Sequence, residues 1–404
     1  MHSVVESRDA VTPVIADEQS APTIKPTMRG HVVAMLLDSA LYTWGTREDL
    51  HLQFSRALMA HGVRPVLVFS EVRDEELADK FRAHGIEVAA INYEKGALQY
   101  YWQLRKVIRR DSVTAVYVAF FNYFSLVPWI ARLSGLRRIV LHERNGGVLR
   151  AKSWKKRLLR LRTRIATRPV TKVIAISQFI KDQLTEVGVP RNKIVMVHHG
   201  VDTQRFLPDS AARTKLVHTF SLEPQELILT TVSYLKPIKH PELIVEALAQ
   251  LKKRGIAARL FVAGDGVMRT ELENLSRKMG VAGQIHWLGH VSDPVALLQA
   301  TDVYLMASVG EAFCLALAEA MGCGSAVVAS RSGSLPEIIE DGISGLLVPP
   351  LNASALADAI EQLSKNEQLR HQLAINAVKR VREHFTKEAS IERMISVYES
   401  MWTE

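Results

Sequence analysis

Two carboxylates eight residues apart, Glu311 and Glu319, stand in an otherwise apolar and small-residue stretch, Val303 to Ser330, VYLMASVGEAFCLALAEAMGCGSAVVAS. Tyr304 to Ala307 reads as a strand, Val309-Gly310 as a break, Phe313 to Met321 as a helix, and Ala326 to Ala329 as a second buried strand. A helix that starts at the carboxyl end of a strand presents unpaired N–H groups and its positive dipole end, so it suits an anion. At about 1.5 Å of rise per residue, the two carboxylates lie roughly 12 Å apart along the axis and can face one groove. An acid at a helix mouth is ordinary. Glu319 is different, because a mid-helix carboxylate among apolar neighbours needs polar partners. Ligand hydroxyls would supply them, with an anionic diphosphate between the two acids on the backbone N–H groups of Ala312, Phe313 and Cys314, next to Leu315.

The chain must hold these residues on a scaffold, and its patterning says which. Apolar runs alternate with longer periodic segments: His31–Leu37, Pro65–Phe69, Val88–Ile91, Ala115–Phe120, Ile139–Leu141, Val173–Ile176 and Ile194–Val197 read as strands. Segments such as Glu48–His61 and Gln178–Val187 between them read as helices. The second half repeats the alternation with Leu227–Val232, Arg259–Ala263, Ile285–Leu288, Val303–Ala307, Ala326–Ala329 and Gly345–Val348. This is βαβ patterning, and 404 residues suffice for two such α/β units facing each other across a cleft. We expect a mobile tail over 1–28, a first Rossmann-like domain over 29–203, a second over 204–385, and a terminal helix over 386–404.

Charge also divides the chain. Residues 29–200 carry 29 Lys/Arg against 14 Asp/Glu, and residues 201–404 carry 20 against 24. No run approaches the roughly 18 apolar residues of a membrane span. The acidic, proline-containing start lacks the apolar core of a secretory signal. Cys314 and Cys323 fall at opposite ends of one helix, too far apart to bridge, which fits a reducing cytoplasm.

Neither half contains G-x-G-x-x-G after a strand or G-x-x-x-x-G-K-[ST], so dinucleotide oxidoreductases and P-loop NTPases lose their main support. No D-x-D pair or His/Cys cluster has metal-ligand spacing. A bound diphosphate would then be neutralised by protein cations and helix N–H groups, with no metal or other cofactor. The candidate cations are in Val232–Leu248, VSYLKPIKHPELIVEAL, where Lys239 follows a strand and precedes a helix, over the carboxyl edge of the second sheet.

The E-x7-E pattern and its surroundings resemble the retaining nucleotide-sugar glycosyltransferases of family 4, which have the GT-B fold; the likeness is close from Val232 to Pro350 and looser over most of the chain. In that family the first Glu binds the transferred sugar and the second the nucleotide ribose, which implies those roles for Glu311 and Glu319. Lys239 is similar to the lysine of the family's G-R-L-x-x-x-K-G signature, but Tyr234 stands where the phosphate-binding Arg usually does and His240 replaces Gly. Lys236 is a candidate substitute cation, although a point charge does not reproduce a guanidinium fork; the alternative is a solvated loop lysine. Gly264 and Gly266, in Gly264-Asp265-Gly266, are similar to a G-x-G-P loop near the nucleotide base, with Val267 in the Pro position. His290-Val291 matches a segment that passes the base, and Arg331 to Gly345 reads as punctuation around the site.

In the first domain, Gly45 occupies the first strand-to-helix loop, where the family has a Gly-rich acceptor and phosphate loop. His142 ends a strand and matches the family's His near the donor sugar, with Glu143 and Gly146-Gly147 after it. Gly200-Val201-Asp202 resembles the family's N-G-V-D at the domain junction, with His199 in place of Asn. In GT-B proteins the terminal helix crosses back to the first domain.

Between Arg144 and Lys172 there are eleven Lys/Arg and no acid. On a helix there, Trp154, Leu158, Leu161 and Ile165 share one face. That face either packs on its own domain, which is the expectation here, or lies on an anionic membrane or lipid-linked acceptor, giving peripheral membrane contact through 150–168. No nucleic-acid-binding module accompanies the basic segment.

The resemblance implies a retaining hexosyltransferase that moves a sugar from a nucleotide diphosphate sugar to a glycan or lipid-linked acceptor in cell-envelope polysaccharide or glycolipid synthesis. It would act in the cytoplasm or at the inner membrane face. Glu311, His142 and Lys239 would serve the reaction, by front-face substitution in which the departing phosphate takes the acceptor's proton. The rivals are a GT-B nucleotide-sugar epimerase, which would act with no acceptor present, and a binding scaffold, motivated by Tyr234 and by Ala312 and Cys314 in place of the family's glycines.

Overall fold

The computed structural model describes residues 26–42, 44–92, 96–119, 126–143 and 153–403. Residues 1–25 and the Gly146-Gly147 pair lie outside them. Met28, the last residue of a one-turn helix, Pro26–Met28, is fully buried in the first-domain core and so belongs to the domain. A large apolar side chain next to the first strand is a packing residue.

The described strands form two all-parallel sheets. The first contains β1 (Val32–Leu41), β2 (Arg64–Val72), β3 (Glu87–Ala90), β4 (Ala115–Ala119), β5 (Arg138–Glu143), β6 (Lys172–Ala175) and β7 (Ile194–Met196), in the order β3-β2-β1-β4-β5-β6-β7. The second contains β8 (Leu227–Val232), β9 (Ala258–Ala263), β10 (Ile285–Gly289), β11 (Val303–Met306), β12 (Ala326–Ser330) and β13 (Leu346–Val348), in the order β10-β9-β8-β11-β12-β13. Each observed strand overlaps one of the apolar runs. Strands such as AVYVA and AVVAS are buried along their whole length, as expected where helices cover both faces of a parallel sheet.

Helices α1 (Thr46–Ala60), α2 (Glu75–Arg82), α3 (Ala97–Arg110), α4 (Val127–Leu133), α5 (Ser153–Ala166) and α6 (Gln178–Glu186) belong to the first domain. Alternation along β1 separates its two faces. Val33, Met35 and Leu37 pack with Phe54 of α1 and Phe81 of α2, whereas Ala34 and Leu36 pack with Leu104 of α3, Ile130 of α4 and Ile180 of α6. The second domain carries α7 (Ala212–Thr219), α8 (Pro241–Lys253), α9 (Arg269–Lys278), α10 (Val295–Gln299), α11 (Leu315–Gly322), α12 (Leu335–Ile338), α13 (Ala353–Lys365) and α14 (Glu367–His384). The last helix, α15 (Lys387–Thr403), returns to the first domain, where Met394, Tyr398 and Met401 join its core and Arg138 Nε donates to the Met401 carbonyl at 2.8 Å.

The chain passes between the domains twice, and the two passages lie side by side. Val201 N–H donates to Phe385 O at 2.8 Å and Lys387 N–H to Val201 O at 2.9 Å. A Cβ on Gly200 would stand 2.3 Å from Thr386 O, so only glycine permits this approach. Lys387 Nζ then reaches Asp202 at 2.6 Å. Burial alone would raise the Asp202 carboxyl, but the hydrogen bond and charge of Lys387 outweigh it and hold it below its ordinary value.

One expectation is overturned at α5. Leu158, Leu161 and Ile165 are 52%, 57% and 55% exposed, while Thr163 and Thr167 are buried beneath the helix. These three residues face outward, because the residues that pack on the domain lie on the other side of α5; the side chain of Trp154 lies outside the described ones.

Candidate active site

Both sheets reverse strand order at one point, between β1 and β4 in the first and between β8 and β11 in the second, and the loops at the carboxyl ends there open on the ligand crevice. Lys239, after β8, lies in a one-turn helix, Pro237–Lys239, and its Nζ pairs with Glu311 Oε1, after β11. The side chains are only 19% and 13% exposed. Val309 N–H donates to Ile238 O at 3.1 Å, tying the two loops together. A third loop supports them: Ser334 N–H donates to Glu311 O at 2.9 Å, and Gly333, at φ +60°, lets residues 310–311 come so close that a Cβ would be 2.5 Å from Glu311 N.

Lys239, not Lys236, is the cation brought to the carboxylate; Lys236 and Tyr234 are exposed. His240 has φ 47°, ψ 48°, the left-handed conformation that explains a glycine at this place in the family signature. Its Nδ1 lies 2.8 Å from Glu242 Oε1.

Gly264 and Gly266 adopt φ +140° and +158°, and Cβ atoms there would meet Ser233 O at 1.9 Å and Leu235 O at 2.4 Å. Leu235 N–H donates to Asp265 O at 2.9 Å and Met268 N–H to Leu235 O at 3.1 Å. These glycines thus let the 264–266 loop fit against the loop that leads to Lys239. Val291 is half-buried beside Leu288 in a small apolar cluster under the same edge.

Helix α11 begins at Leu315, two residues later than its composition suggests. Cys314 is its N-cap residue, and Phe313 turns away to sit among the rings of His198, His199 and Phe385, with centroids 5.7–6.0 Å apart. Ala312, Phe313 and Cys314 are therefore loop residues, and the axial arithmetic does not apply to Glu311, which precedes the helix. Glu319 does lie inside α11 and is 8% exposed. Burial raises its carboxyl to about 7, with Arg205 pulling it down and Asp293 pushing it up. Burial and the Glu311 charge likewise push the Cys314 thiol up to about 12, which disfavours its thiolate form.

The cleft joins the domains around these residues. A cavity of roughly 150 Å³ is lined by Trp44, Gly45 and Asp49 of the first domain and by Arg205, Ser292 and Glu319 of the second. Gly45 N–H donates to Glu48 Oε2 at 3.1 Å, and Trp44 Nε1–H to Asp49 Oδ1 at 2.6 Å. His142, 2% exposed at the end of β5, hydrogen-bonds through Nδ1 to the Tyr117 hydroxyl, and its ring lies 5.8 Å from that of His199. His199 in turn meets Phe313, so ring contacts run from the first domain through the junction to the mouth of α11. Trp44, Asp49, Arg205 and Ser292 carry no motif in the sequence; the first turn of α1 and the segments that hold the others converge only in three dimensions. A larger cavity, about 670 Å³, opens at the amino ends of β8 and β9 and is lined by Arg213, Glu226, Asp302 and Arg370. It faces away from the cleft.

Glu337 of α12 reaches across the domains. Its carboxylate accepts from Gln178 N–H at 2.6 Å and Phe179 N–H at 2.8 Å, at the start of α6, and lies 3.5 Å from His198 Nε2. Among the described residues no group of three or more His, Cys, Asp and Glu could hold a metal ion, and no helix is long and apolar enough to cross a membrane.

Known proteins share this arrangement. Residues 214–380 match the family model for glycosyl transferases group 1, and residues 51–205 match glycosyltransferase family 4. A D-inositol 3-phosphate glycosyltransferase of Actinosynnema mirum is 34% identical over 243 residues, covering 56% of this chain and 57% of that protein; the chain thus spans little more than half of that relative's length. A glycosyltransferase from Rickettsia africae has a similar structure, with TM-score 0.78 at 19% identity over 92% of this chain and 98% of that one. Anabaena Alr3699/HepE, solved with UDP, has TM-score 0.77 at 19% identity over 92% of this chain and all of its own. Two Rossmann-like domains and a family match in each half establish that the chain belongs to the group 1 glycosyltransferases of GT-B fold.

Proposed function

We propose that this protein is a retaining hexosyltransferase that takes a sugar from a nucleotide diphosphate sugar and passes it to a glycan or lipid-linked acceptor of the cell envelope, at the cytoplasmic face of a membrane. The observation that carries this reading is the placement of the Lys239–Glu311 pair beside the mouth of α11, with Glu319 buried further along the same helix. In this reading Glu319 accepts hydrogen bonds from the ribose, and the N–H groups from Ala312 to Leu315 and Lys239 take the diphosphate. Glu311 then turns to the sugar hydroxyls. That neighbours of the same fold were solved with UDP and with UDP-glucose supports a nucleotide-sugar donor.

Positive charge and backbone dipoles preorganised where the leaving phosphate gains charge would supply most of the rate enhancement. No metal takes part. The acceptor enters from the first domain, beside His142 and Gly45, and the departing phosphate takes its proton.

A thermal-shift screen against UDP, GDP, ADP, CMP and dTDP and their sugars, without metal, tests the donor site. A ligand at about 100 times its Kd adds roughly 2.7 kcal/mol. Stabilisation by one diphosphate that disappears in Glu319→Ala is the expected result, and no shift with any of them at millimolar levels overturns it. The anomeric configuration of the product, read by NMR, tests retention. Turnover of donor to an isomerised sugar without acceptor would instead mark an epimerase.

A further inference from the structure

We propose that the α3–α4–α5 face of the first domain is a docking surface for an anionic lipid bilayer. On α5, the outward stripe of Leu158, Leu161 and Ile165 is flanked on both sides by exposed arginines, Arg157 and Arg164 on one and Arg162 on the other. The helix is held firmly. Arg160 Nε donates to Glu186 O at 2.9 Å, and a Cβ on Gly188 would stand 2.9 Å from Arg160 O. The exposure of the stripe is therefore the packed state of α5.

The neighbouring helices continue the pattern. Trp129 of α4 donates its indole N–H to Ile165 O at 3.1 Å, and Leu133 at the end of α4 is 68% exposed beside Arg132. On α3, which packs on α4, Leu98 and Trp102 are 73% and 60% exposed, followed along the same side by Arg105 and Arg109. Single exposed leucines are normal on a protein surface, but a run of them over three adjacent helices marks an interaction surface.

The charge pattern selects the partner. Helices α3, α4 and α5 contain eleven Lys/Arg and no Asp or Glu. On the other face of the same sheet, α1 and α2 mix four Lys/Arg with five Asp/Glu. Basic side chains that border outward leucines and a tryptophan match anionic headgroups above acyl chains. The long arginine stems let the charges stay at headgroup level while the leucines go deeper. Phosphates of a nucleic acid would use the arginines and leave the leucines in water. Helix α5 starts at the carboxyl end of the first sheet, so, resting on the transferase reading, a docked enzyme would meet a lipid-borne acceptor at the rim of its cleft.

The test is co-sedimentation of the full chain with vesicles of phosphatidylcholine alone or of phosphatidylcholine with phosphatidylglycerol. Binding is expected only to the anionic vesicles and should weaken as salt rises. The surface variant Leu158→Ser/Leu161→Ser/Ile165→Ser and the charge variant Arg157→Gln/Arg164→Gln should each lose about tenfold or more in vesicle affinity. Both should keep the parent melting temperature and nucleotide-induced shift, since their side chains lie outside the cleft. Failure to bind anionic vesicles, or equal binding by the triple-serine variant, overturns the proposal. So does a self-associated parent that becomes monomeric in that variant without binding vesicles. Vesicle binding by a protein that no nucleotide stabilises would leave the docking face standing and remove the transferase reading.

Discussion

Lys239 and Glu311, which follow β8 and β11, neutralise each other across the switch point of the second sheet. A donor must share or part this pair, because in the proposed reading the lysine goes to the diphosphate and the glutamate to the sugar. Lys239→Met would leave a largely enclosed carboxylate unpaired and cost about 1–3 kcal/mol in urea unfolding. Adding Glu311→Gln should recover part of that loss without recovering activity. Transfer in either single variant should fall about a hundredfold or more, as for other preorganised electrostatic groups. A double-mutant cycle with no coupling energy would contradict the ion pair.

Glu319 is the second point of test. Its folded pKa of about 7 stands above the ordinary 4.5. Folding therefore favours the protonated acid: the stabilisation is complete below about pH 4.5 and is lost as pH rises through 7. The difference corresponds to about 3 kcal/mol at alkaline pH. Glu319→Gln should melt higher than the parent at pH 8.5 and nearly equal to it at pH 5, while losing its response to nucleotide. Equal melting at both pH values would show that the carboxyl is not desolvated.

Glu337 joins the domains by accepting two N–H groups at the start of α6. Burial alone would raise its pKa, but the neighbouring His198 imidazole, 3.5 Å away, and the hydrogen bonds from Phe179 and Gln178 N–H prevail and hold it below the ordinary value. Its contribution is thus present above about pH 4.5 and fades as pH falls through the lowered value. Glu337→Ala should cost about 1–2 kcal/mol, as loss of a helix cap does, and should increase the radius of gyration in small-angle scattering as the cleft opens. An unchanged scattering profile would remove the interdomain role.

His240 holds a left-handed backbone that disfavours side chains by about 1–2 kcal/mol. The contact with Glu242 returns at most about 1 kcal/mol, since both side chains are partly solvated. His240→Gly should therefore keep or raise stability, by up to about 1 kcal/mol, and His240→Val should lower it by about 2 kcal/mol relative to glycine. Chemical denaturation of the two variants decides this.

Local chemistry determined much of this protein. Uninterrupted apolar runs such as AVYVA and AVVAS, alternating with helical segments, fit parallel strands buried on both faces, and G-E-A-F-C-L with E-x7-E places an acid before and within a helix at a strand end. The motif glycines also carried real geometry: Gly264 and Gly266 are required by the approach of Ser233 and Leu235, and Gly200 by that of Thr386. What needed the tertiary structure was each relation between segments distant in sequence. Phe313 has the composition of a helix residue, yet aromatic contacts with His198, His199 and Phe385 take it out of α11, since contacts across the cleft outweigh a propensity of a few tenths of a kcal/mol. Periodicity showed that Leu158, Leu161 and Ile165 share a face of α5. Only packing decided that this face points outward, because periodicity orders residues around a helix axis and contains nothing about where the rest of the domain lies.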